Sequence, residues 1–452
     1  MRKHAHFIGI GGISMSGLAE ILHNKGWLVT GSDTKPSDIT ARLESLGIRI
    51  VIGQNAGNIT EGIDLVVYTA AVKPDNPELL EARSRKLTVM DRAELLGSIM
   101  KDYSCPICIS GAHGKTTTTS MIVEILLAAG MDPTVNVGGM LDSINGNFRM
   151  GRSPYFVVES CEYYDSFHKF YPKIGIILNI DRDHLDYFSG LDAIEASFRR
   201  FSQNIPEGGT LVVYGGVSSK VTEGLKCGTI TFGTEGSQVN AVDVSYDSDG
   251  FPSFLIKEND RLIGKTRLRV RGEHNVKNAL AAYAAARAAG APDEAILSGL
   301  SAYGGAKRRF EEKGMFNGVL VVDDYAHHPT EIKALLAAAS KSGHNRIFCV
   351  FQPHTYTRTF ALLDEFAQCF NGADKVLVLD IFASREKDTG MINARVLADC
   401  INAAGSDAIY CPSIENAQSL LLELCAPGDL CLTVGAGDVY LLGELLVNKN
   451  IY

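Results

Sequence analysis

The chain has 452 residues, of which 46% are hydrophobic and 21% charged, and at roughly 150 residues per domain this length predicts about three globular domains. The 43 basic and 52 acidic residues leave a formal net charge of −9, which argues against a nucleic-acid or anionic-membrane binder because those proteins need a basic surface. No apolar run approaches the roughly 20 residues of a membrane helix. We therefore expect a cytoplasmic protein without membrane insertion that binds no nucleic acid, and the sequence leaves its oligomeric state open.

Residues 1–102 predict a first domain built around a parallel sheet. Short apolar runs alternate there with segments of helical period, which is the pattern of βαβ units. The predicted strands cover residues 6–10, 27–31 and 64–69, and the predicted helices cover residues 16–25 and 77–86.

Residues 103–305 predict a second, larger domain. Its predicted strands cover residues 106–110, 155–159 and 174–180, and an alanine-rich helix is predicted at residues 275–289. Between about residues 210 and 271 the pattern becomes alternating and rich in turn residues, which predicts a small antiparallel sheet added to the mostly parallel one.

Residues 306–452 predict a third domain of doubly wound α/β type. Its predicted strands cover residues 318–323, 346–351, 375–380 and 429–434. The predicted fold class is therefore α/β with three domains, of which the first and third are Rossmann-like and the second carries a phosphate-binding loop. The ten cysteines are scattered through apolar segments, and we expect them to be reduced, buried thiols.

A glycine loop between a predicted strand and a predicted helix reads ISGAHGKTTTT from Ile109 onwards. Gly111 and Gly114 allow backbone N–H groups to turn around phosphate oxygens, Lys115 offers a cation to the β- and γ-phosphates, and Thr116 offers a hydroxyl to Mg²⁺. Ile109 stands where the general G-x-x-x-x-G-K-[ST] pattern has its first glycine. A plain strand-to-helix turn is the alternative, and an accidental Gly-Lys-Thr in this context is uncommon.

A second glycine turn, GIGGISMSG from Gly9, follows the first predicted strand, and Asp33 ends the next strand. A strict dinucleotide pattern G-x-G-x-x-G requires glycine where this chain has Ser14, which disfavours a nicotinamide cofactor. The diphosphate of another nucleotide can use the same helix N-terminus. Glycines that serve only close helix packing are the other interpretation.

Acidic and imidazole groups follow two further strands of the second domain. Glu159 ends one of them, and His184 lies shortly after the other. Because the carboxyl ends of parallel strands form the ligand crevice, we expect Glu159 and His184 to converge on a metal beside Lys115. Glu162 is a further candidate, and solvated loop residues are the alternative.

Polar loops also follow two strands of the third domain, at residues 323–329 and 351–358, and both should face the same edge of the sheet. The side chains of His327 and His328 diverge and lack a partner four residues on, so groups that address a substrate are favoured over a metal site. The basic run at residues 307–309 can meet a transferred phosphate when the domains close, or it is a solvated surface.

Together these segments resemble the ATP-dependent Mur ligases of bacterial cell-wall synthesis. The loop GAHGKTT from Gly111 resembles their GTHGKTT, and GIGGISMSGLAE from Gly9 resembles their GIGGIGMSGIAE. The remaining matches are VYTAAVKPDNPE from Val67, NIDRDHLDY from Asn179, GEHNVKNA from Gly272, RRFE from Arg308 and DDYAHHPTE from Asp323. The resemblance extends over nearly the whole chain.

The resemblance implies three domains that bind a UDP-sugar, ATP and an amino acid in chain order. The residues implied for the UDP-sugar are Gly11, Gly12, Ile13, Ser14, Asp33 and Thr69. Those implied for ATP are Gly111, Ala112, His113, Gly114, Lys115, Thr116, Thr117, His274, Asn275, Asn278, Arg308 and Asp324, and those implied for Mg²⁺, with Mn²⁺ as an alternative ion, are Thr116, Glu159 and His184. Those implied for the amino acid are Tyr325, His327 and Arg358, and the implied catalytic set is Lys115, Arg308, His327 and Arg358.

Several positions depart from the family pattern. Ala112 replaces a threonine, and Cys161 replaces an aspartate. Thr355 replaces the first of two arginines, so Arg358 is the only arginine left in this segment. No lysine matches the carbamylated lysine at the magnesium site of sister enzymes, and His184 stands in its place.

By resemblance, the lactyl carboxylate of UDP-N-acetylmuramate attacks the γ-phosphorus of ATP, and L-alanine then displaces phosphate from the acyl phosphate, with His327 as an acceptor of the amine proton. A related branch that attaches a whole tripeptide to the same sugar is the alternative, and the segments QPHTYTRT and CEYYDSF favour the single amino acid. A dehydrogenase would leave the Gly-Lys-Thr loop without a role. A nucleotide-switch module would leave the polar loops of the third domain unexplained.

Overall fold

The computed structural model describes residues 2–69 and 71–448 and contains three β-sheets joined in chain order. Met1, residues 449–452 and Ala70, which belongs to the segment VYTAAVKPDNPE, lie outside the described residues. No helix in the described part of the chain is long and apolar enough to cross a membrane. The ten cysteines are free thiols, and each is buried or partly buried.

The first sheet is built from five parallel strands. These strands are β1 (His4–Ile8), β2 (Leu28–Asp33), β3 (Arg49–Ile52), β4 (Leu65–Tyr68) and β5 (Thr88–Asp91), and the helices are α1 (Ile13–Asn24), α2 (Asp38–Ser45), α3 (Pro77–Ser84) and α4 (Arg92–Met100). The strand order is β3-β2-β1-β4-β5. Because the order reverses between β1 and β4, a ligand crevice opens at the carboxyl ends of these two strands. We call this sheet and its helices the first unit.

The second sheet has ten strands. They are β6 (Cys105–Ser110), β7 (Thr134–Leu141), β8 (Gly146–Arg149), β9 (Tyr155–Glu159), β10 (Ile174–Ile177), β11 (Thr210–Tyr214), β12 (Gly228–Phe232), β13 (Val239–Tyr246), β14 (Pro252–Glu258) and β15 (Arg261–Arg267), with helices α5 (Lys115–Ala128), α6 (Leu191–Gln203), α7 (Glu273–Ala288) and α8 (Asp293–Ala302). The strand order is β15-β14-β13-β12-β11-β10-β6-β9-β7-β8. We call this sheet and its helices the second unit.

The antiparallel strands predicted between residues 210 and 271 form one edge of this sheet. β13, β14 and β15 pair in antiparallel fashion, whereas β11 and β12 continue the parallel ladder. The expectation that the antiparallel part begins near residue 210 is therefore wrong. The physical reason is that β11 is an apolar run buried at Leu211, Val212 and Val213, which is typical of a parallel strand covered on both faces.

The third sheet has six strands. They are β16 (Glu311–Phe316), β17 (Val319–Asp324), β18 (Ile347–Phe351), β19 (Lys375–Val378), β20 (Ala408–Tyr410) and β21 (Leu430–Val434), with helices α9 (Pro329–Ala339), α10 (Tyr356–Ala361), α11 (Leu363–Ala367), α12 (Ala394–Ala403), α13 (Ile414–Leu424) and α14 (Tyr440–Asn448). The order is β16-β17-β21-β18-β19-β20, and β16 is antiparallel to β17. We call this sheet and its helices the third unit.

The first two units share a hydrophobic core. One cluster of buried side chains joins Leu18 of the first unit to Phe156 and Phe198 of the second. At the same boundary, Asn147 Nδ2 donates a hydrogen bond of 2.6 Å to the carbonyl of Ile13. The third sheet has separate core clusters on its two faces.

The shared core predicts a large stability loss when Phe156 is truncated. Its ring is fully buried, with its centroid 4.9 Å from that of Tyr103. We expect Phe156→Ala to lower the free energy of unfolding by about 3–5 kcal/mol, measured by urea denaturation with circular dichroism. Leu80→Ala, which trims a side chain that is 52% exposed, should change it by less than about 0.5 kcal/mol. Equal losses in both variants would contradict the shared core.

Candidate functional site

Residues 111–114, between β6 and α5, form a loop that needs glycine at two positions, and we call it the phosphate loop. Gly111 has a φ of +138° and Gly114 a φ of +82°, a region that other residues rarely adopt. A side chain at Gly114 would also meet Asn278 Oδ1 at 2.6 Å. Because α5 begins at Lys115 without a side-chain cap, its first N–H groups are placed to bind an anion.

The side chain of Asn179 fixes the phosphate loop to the neighbouring strand. Asn179 Oδ1 accepts a hydrogen bond of 2.9 Å from the backbone N–H of His113, and Asn179 Nδ2 donates one of 3.0 Å to the carbonyl of His113. Asn179 follows β10, which pairs with β6. The shape of the loop is therefore set by the protein itself.

Lys115 is held inside the site by several acceptors. Its ammonium group contacts the carbonyl of Gly111, the carbonyl of Ala112 at 3.1 Å and Glu162 Oε2 at 3.2 Å. Burial lowers the pKa of Lys115, but its interactions with Glu162, Cys161 and Asp183 together outweigh burial and hold that pKa above its usual value. Lys115 is therefore a cation at neutral pH.

A donor set that suits a divalent cation lies next to Lys115. His184 Nε2 is 4.0 Å from Glu162 Oε1 and 3.8 Å from Asp183 Oδ2. Burial lowers the pKa of His184, so its ring is neutral at pH 7 and keeps a lone pair. Carboxylates and a neutral imidazole are ordinary ligands of Mg²⁺ and Mn²⁺ sites.

The other two predicted metal ligands, Thr116 and Glu159, face one stretch of β7. The backbone N–H of Gly138 donates a hydrogen bond of 2.7 Å to Glu159 Oε1. A side chain at Gly139 would meet Thr116 Cγ2 at 3.0 Å. The structure thus brings the Glu159 carboxylate and the Thr116 side chain to adjacent glycines, and a carboxylate and a hydroxyl are oxygen donors of the type that Mg²⁺ prefers.

A cavity of about 300 Å³, which we call the loop cavity, opens beside the phosphate loop between the second and third units. The predicted nucleotide residues that line it are His113, Gly114, Thr117, His274, Asn275, Asn278 and Asp324. Its apolar wall includes Tyr214, Phe232, Val270, Tyr303, Phe310 and Leu335. The size and the mixed lining suit the base and ribose of a nucleotide.

Arg308, a predicted nucleotide and catalytic residue, does not line this cavity. Its guanidinium donates hydrogen bonds to Asp323 Oδ2 at 3.0 Å and to the carbonyl of Gly435 at 2.6 Å. The next residue, Arg309, lines the cavity together with Asp324. A contact between Arg308 and the nucleotide stays a prediction, and Arg309 is the arginine that the structure places at the cavity.

A smaller cavity of about 150 Å³, the small cavity, is lined by the predicted amino-acid residues Tyr325, His327 and Arg358. Arg358 donates hydrogen bonds of 2.9 and 3.1 Å to Asp183 Oδ1, and its third nitrogen lies 3.0 Å from His354 Nδ1. Burial lowers the pKa of His327 to about 4 and the pKa of His354 to about 3. Both rings are therefore neutral at pH 7.

A third cavity, of about 960 Å³, opens at the carboxyl ends of β1 and β4, and we call it the first-unit cavity. The predicted residues that line it are Gly11, Gly12, Asp33 and Thr69. Asp33 Oδ2 accepts a hydrogen bond of 2.8 Å from the N–H of Gly11, which holds the glycine turn. The predicted Ile13 and Ser14 lie outside this lining, and the hydroxyl of Ser14 accepts a hydrogen bond of 3.1 Å from Arg92.

His113 lies at the junction of the second and third units. Its Nε2 is 3.0 Å from Asp181 Oδ2, and its Nδ1 is 3.2 Å from Glu331 Oε1. Burial lowers the pKa of His113, but these two carboxylates outweigh burial and raise that pKa to about 9. His113, Asp181 and His328 also have ligand atoms within 4.8 Å of one another. A ring that carries protons on both nitrogens has no lone pair for a metal, so we interpret this cluster as an ion-pair site.

Several residues at these cavities had no role assigned from the sequence. They are Asn179, Asp181, Asp183 and Glu331. All four stand within segments already singled out because they follow predicted strands, so position after a strand is the signal that could have found them.

Models for three domains of one family match the chain. The catalytic domain of the Mur ligase family matches residues 4–104, the Mur ligase middle domain matches residues 109–286, and the glutamate ligase domain of Mur ligases matches residues 308–437.

Relatives named UDP-N-acetylmuramate–L-alanine ligase are similar along the whole chain. The enzyme of Acetivibrio thermocellus is 50% identical over 452 residues, which cover 99% of this chain and 96% of the relative. A Clostridium botulinum enzyme is 48% identical over 450 residues, which cover 99% and 98%.

Two solved structures share the three-unit architecture. The UDP-N-acetylmuramate-alanine ligase of Thermotoga maritima superposes with a TM-score of 0.82 at 29% identity over 99% of each chain. A murein peptide ligase of Psychrobacter arcticus superposes with a TM-score of 0.72 at 26% identity over 99% of this chain and 98% of that one.

The proton on His113 makes the contact between the second and third units depend on pH. Because the pKa of about 9 lies above the ordinary 6.5, this stabilisation is complete below about pH 6.5 and is lost as the pH rises through 9. We expect the free energy of unfolding to fall by at most about 3 kcal/mol over this range, and the unfolding midpoint to fall with it. Both should fall less in His113→Asn. Scanning calorimetry at both ends of the range measures both. The same pH dependence in both proteins would show that His113 carries no such proton.

Proposed function

The chain belongs to the Mur ligase family, and we propose that it joins L-alanine to the lactyl carboxylate of UDP-N-acetylmuramate while ATP is converted to ADP and phosphate, a step of peptidoglycan synthesis. The observation that carries this proposal is the position of the phosphate loop beside the loop cavity, with Lys115 linked through Glu162 to His184 at the small cavity. A nucleotide and a small polar substrate can therefore meet at the loop.

The small cavity supports a free amino acid as the second substrate. Arg358 and Asp183 line it with opposite charges, as the carboxylate and ammonium of an amino acid require. Ala361, Leu362 and Ala436 supply apolar surface that suits a methyl side chain. The tripeptide ligase is not supported, because the relatives that are 50% and 48% identical over 99% of this chain carry the L-alanine name. Among the two solved structures, the L-alanine ligase also superposes with the higher TM-score, 0.82 against 0.72.

The first chemical step activates the lactyl carboxylate. One of its oxygens attacks the γ-phosphorus of ATP, the bond to the β-phosphate oxygen breaks, and ADP leaves with that electron pair. Lys115 and the first N–H groups of α5 neutralise the charge on the transferring phosphoryl group. We assign the cation from the third unit to Arg309, because it lines the loop cavity, whereas Arg308 holds Asp323 and the carbonyl of Gly435.

The metal site fits this step. Thr116, Glu159 and His184 would hold Mg²⁺ or Mn²⁺, and Glu162 lies 4.0 Å from His184; the donor types described above suit such an ion. When bound, the ion supplies additional positive charge to the phosphates.

In the second step the amine of L-alanine attacks the acyl carbon, the amide bond forms, and phosphate leaves with the electrons of the broken C–O bond. The amine must first lose a proton. His327 Nδ1 lies 2.9 Å from the carbonyl of Tyr325, which favours the proton on Nδ1 and the lone pair on Nε2. A ring with a pKa of about 4 is a weak base, so we assign to His327 the orientation of the amine and the passage of its proton to solvent.

The first-unit cavity is the proposed site of the UDP-sugar. Gly11 and Gly12 let the backbone approach a diphosphate, and Lys35 and Lys73 line the same cavity with positive charge. Arg92 holds Ser14 at the start of α1, next to this cavity. The proposed roles of residues 1–102, 103–305 and 306–452 are thus to bind the UDP-sugar, ATP and the amino acid.

The reaction is tested by phosphate release and by the mass of the product. With Mg-ATP, UDP-N-acetylmuramate and L-alanine, we expect release that needs all three substrates and a UDP-muramyl-alanine mass. Lys115→Ala should lower the rate about 10²–10³-fold, because a cation at the transferring phosphate is lost. Product that forms only with a tripeptide would replace this proposal by the alternative ligase.

A second test addresses the amino-acid site. Arg358→Lys keeps the charge but loses the two-pronged geometry that suits a carboxylate, so we expect the KM for L-alanine to rise about tenfold or more with little change in the KM for ATP. Steady-state kinetics measure both constants. Arg346→Lys, at an arginine that pairs with Asp429 away from all three cavities, serves as the matched control. An unchanged KM for L-alanine in Arg358→Lys would remove Arg358 from the site.

A further inference from the structure

The carboxylate of Glu331 contacts both cavities of the second and third units. Glu331 Oε1 is 3.2 Å from Nδ1 of His113, which lines the loop cavity. Glu331 Oε2 accepts a hydrogen bond of 3.0 Å from the backbone N–H of His327, which lines the small cavity. The Glu331 side chain is only 13% exposed. One largely buried side chain therefore joins the phosphate loop to the amino-acid site.

Helix capping explains the contacts of Glu331 Oε2 but not the contact of Oε1. Glu331 lies in the first turn of α9, where His328 is the N-cap and the two residues form a capping box. The box uses Glu331 Oε2, which also accepts a 3.3 Å hydrogen bond from the N–H of His328. The other oxygen, Oε1, contributes nothing to the helix and points across the boundary to His113.

The neighbouring contacts form at the same boundary. Thr330 Oγ1 donates a hydrogen bond of 2.7 Å to Asp181 Oδ2, the same oxygen that lies 3.0 Å from His113 Nε2. His328 Nε2 donates one of 3.1 Å to the carbonyl of Arg182. These partners follow Asn179, whose side chain holds the phosphate loop. The start of α9 is therefore bonded to the phosphate loop and to the segment that fixes its shape.

We propose that Glu331 is a positioning residue that couples occupancy of the phosphate loop to the formation of the L-alanine site, an inference that rests on the proposed function. A nucleotide bound at the phosphate loop restricts the side chain of His113, His113 holds Glu331, and Glu331 holds the backbone of His327 at the small cavity. A coupling between two sites is reciprocal, so each ligand raises the affinity for the other by the same factor.

The test changes each end of this contact and measures the effect at the small cavity. His113→Asn removes the contact from the phosphate-loop side, so we expect the KM for L-alanine to rise about tenfold although position 113 does not line the small cavity. Glu331→Gln keeps the shape but has one acceptor oxygen, which can serve either the helix or His113. Because Glu331 itself lines the loop cavity, the readout for this variant is also the KM for L-alanine, which should rise. The double variant should be no worse than the more impaired single variant.

The outcomes separate coupling from a local structural role. If His113 only shapes the loop, the KM for ATP rises alone, and the coupling is wrong. Effects that multiply in the double variant would also overturn it. For a variant without turnover, calorimetric titration of L-alanine in the presence of a non-hydrolysable ATP analogue gives the same readout.

Glu365→Gln is the matched control. It removes an exposed ion pair of 3.2 Å with Arg182 across the same boundary, and we expect it to leave both KM values unchanged. A rise in the KM for L-alanine equal to that of His113→Asn would mean that the loss of any contact at this boundary has this effect and would overturn the proposal.

Failure of the coupling can be distinguished from failure of the proposed function. Absence of UDP-muramyl-alanine from the unsubstituted enzyme would overturn the proposed function and the coupling together. Product with unchanged KM values in the two single variants would overturn the coupling alone.

Discussion

The shape of the phosphate loop depends on the two hydrogen bonds between the Asn179 amide and the backbone of His113. A glycine loop is intrinsically free to adopt many shapes, because Gly111 and Gly114 restrict the backbone little. The amide of Asn179 removes that freedom by satisfying a donor and an acceptor of the loop at once. The loop then holds its N–H groups and the ring of His113 in place, and His113 contacts Glu331 of the third unit.

The second constraint is that buried charges must be paired before a ligand arrives. Lys115 lies against Glu162, Arg358 against Asp183, and His113 between two carboxylates. Removing an isolated charge from water costs many kcal/mol, and a partner with good geometry offsets that cost. In the proposed reaction, an incoming phosphate or carboxylate would compete with these carboxylates for the same cations.

The sequence predicts the centre of each sheet well and its edges poorly. Every predicted strand appears within a few residues of its expected bounds, because central strands are continuous apolar runs. Short edge strands such as β3 and β5 are half exposed and lack that signal. The phosphate loop and its proposed metal ligands were predicted from local motifs. Arg358 contacts Asp183, which is 175 positions away in the sequence, and His113 contacts Glu331, which is more than 200 positions away. A motif within a short stretch of sequence cannot predict such contacts.

Arg308 and Arg309 illustrate a finer limit. Two adjacent arginines look equivalent in the sequence, yet the positive φ values of Arg308 and Phe310 turn the backbone twice, so one guanidinium stays within the third unit and the other enters the loop cavity. The first two units share an apolar core, whereas the third meets the second through the polar contacts described above and through Leu185, which packs against the third unit's core. Because the third unit contributes Arg309, His327 and Arg358, the groups of the proposed site assemble only while those contacts exist. In the proposed reaction, this assembly would keep water away from the acyl phosphate.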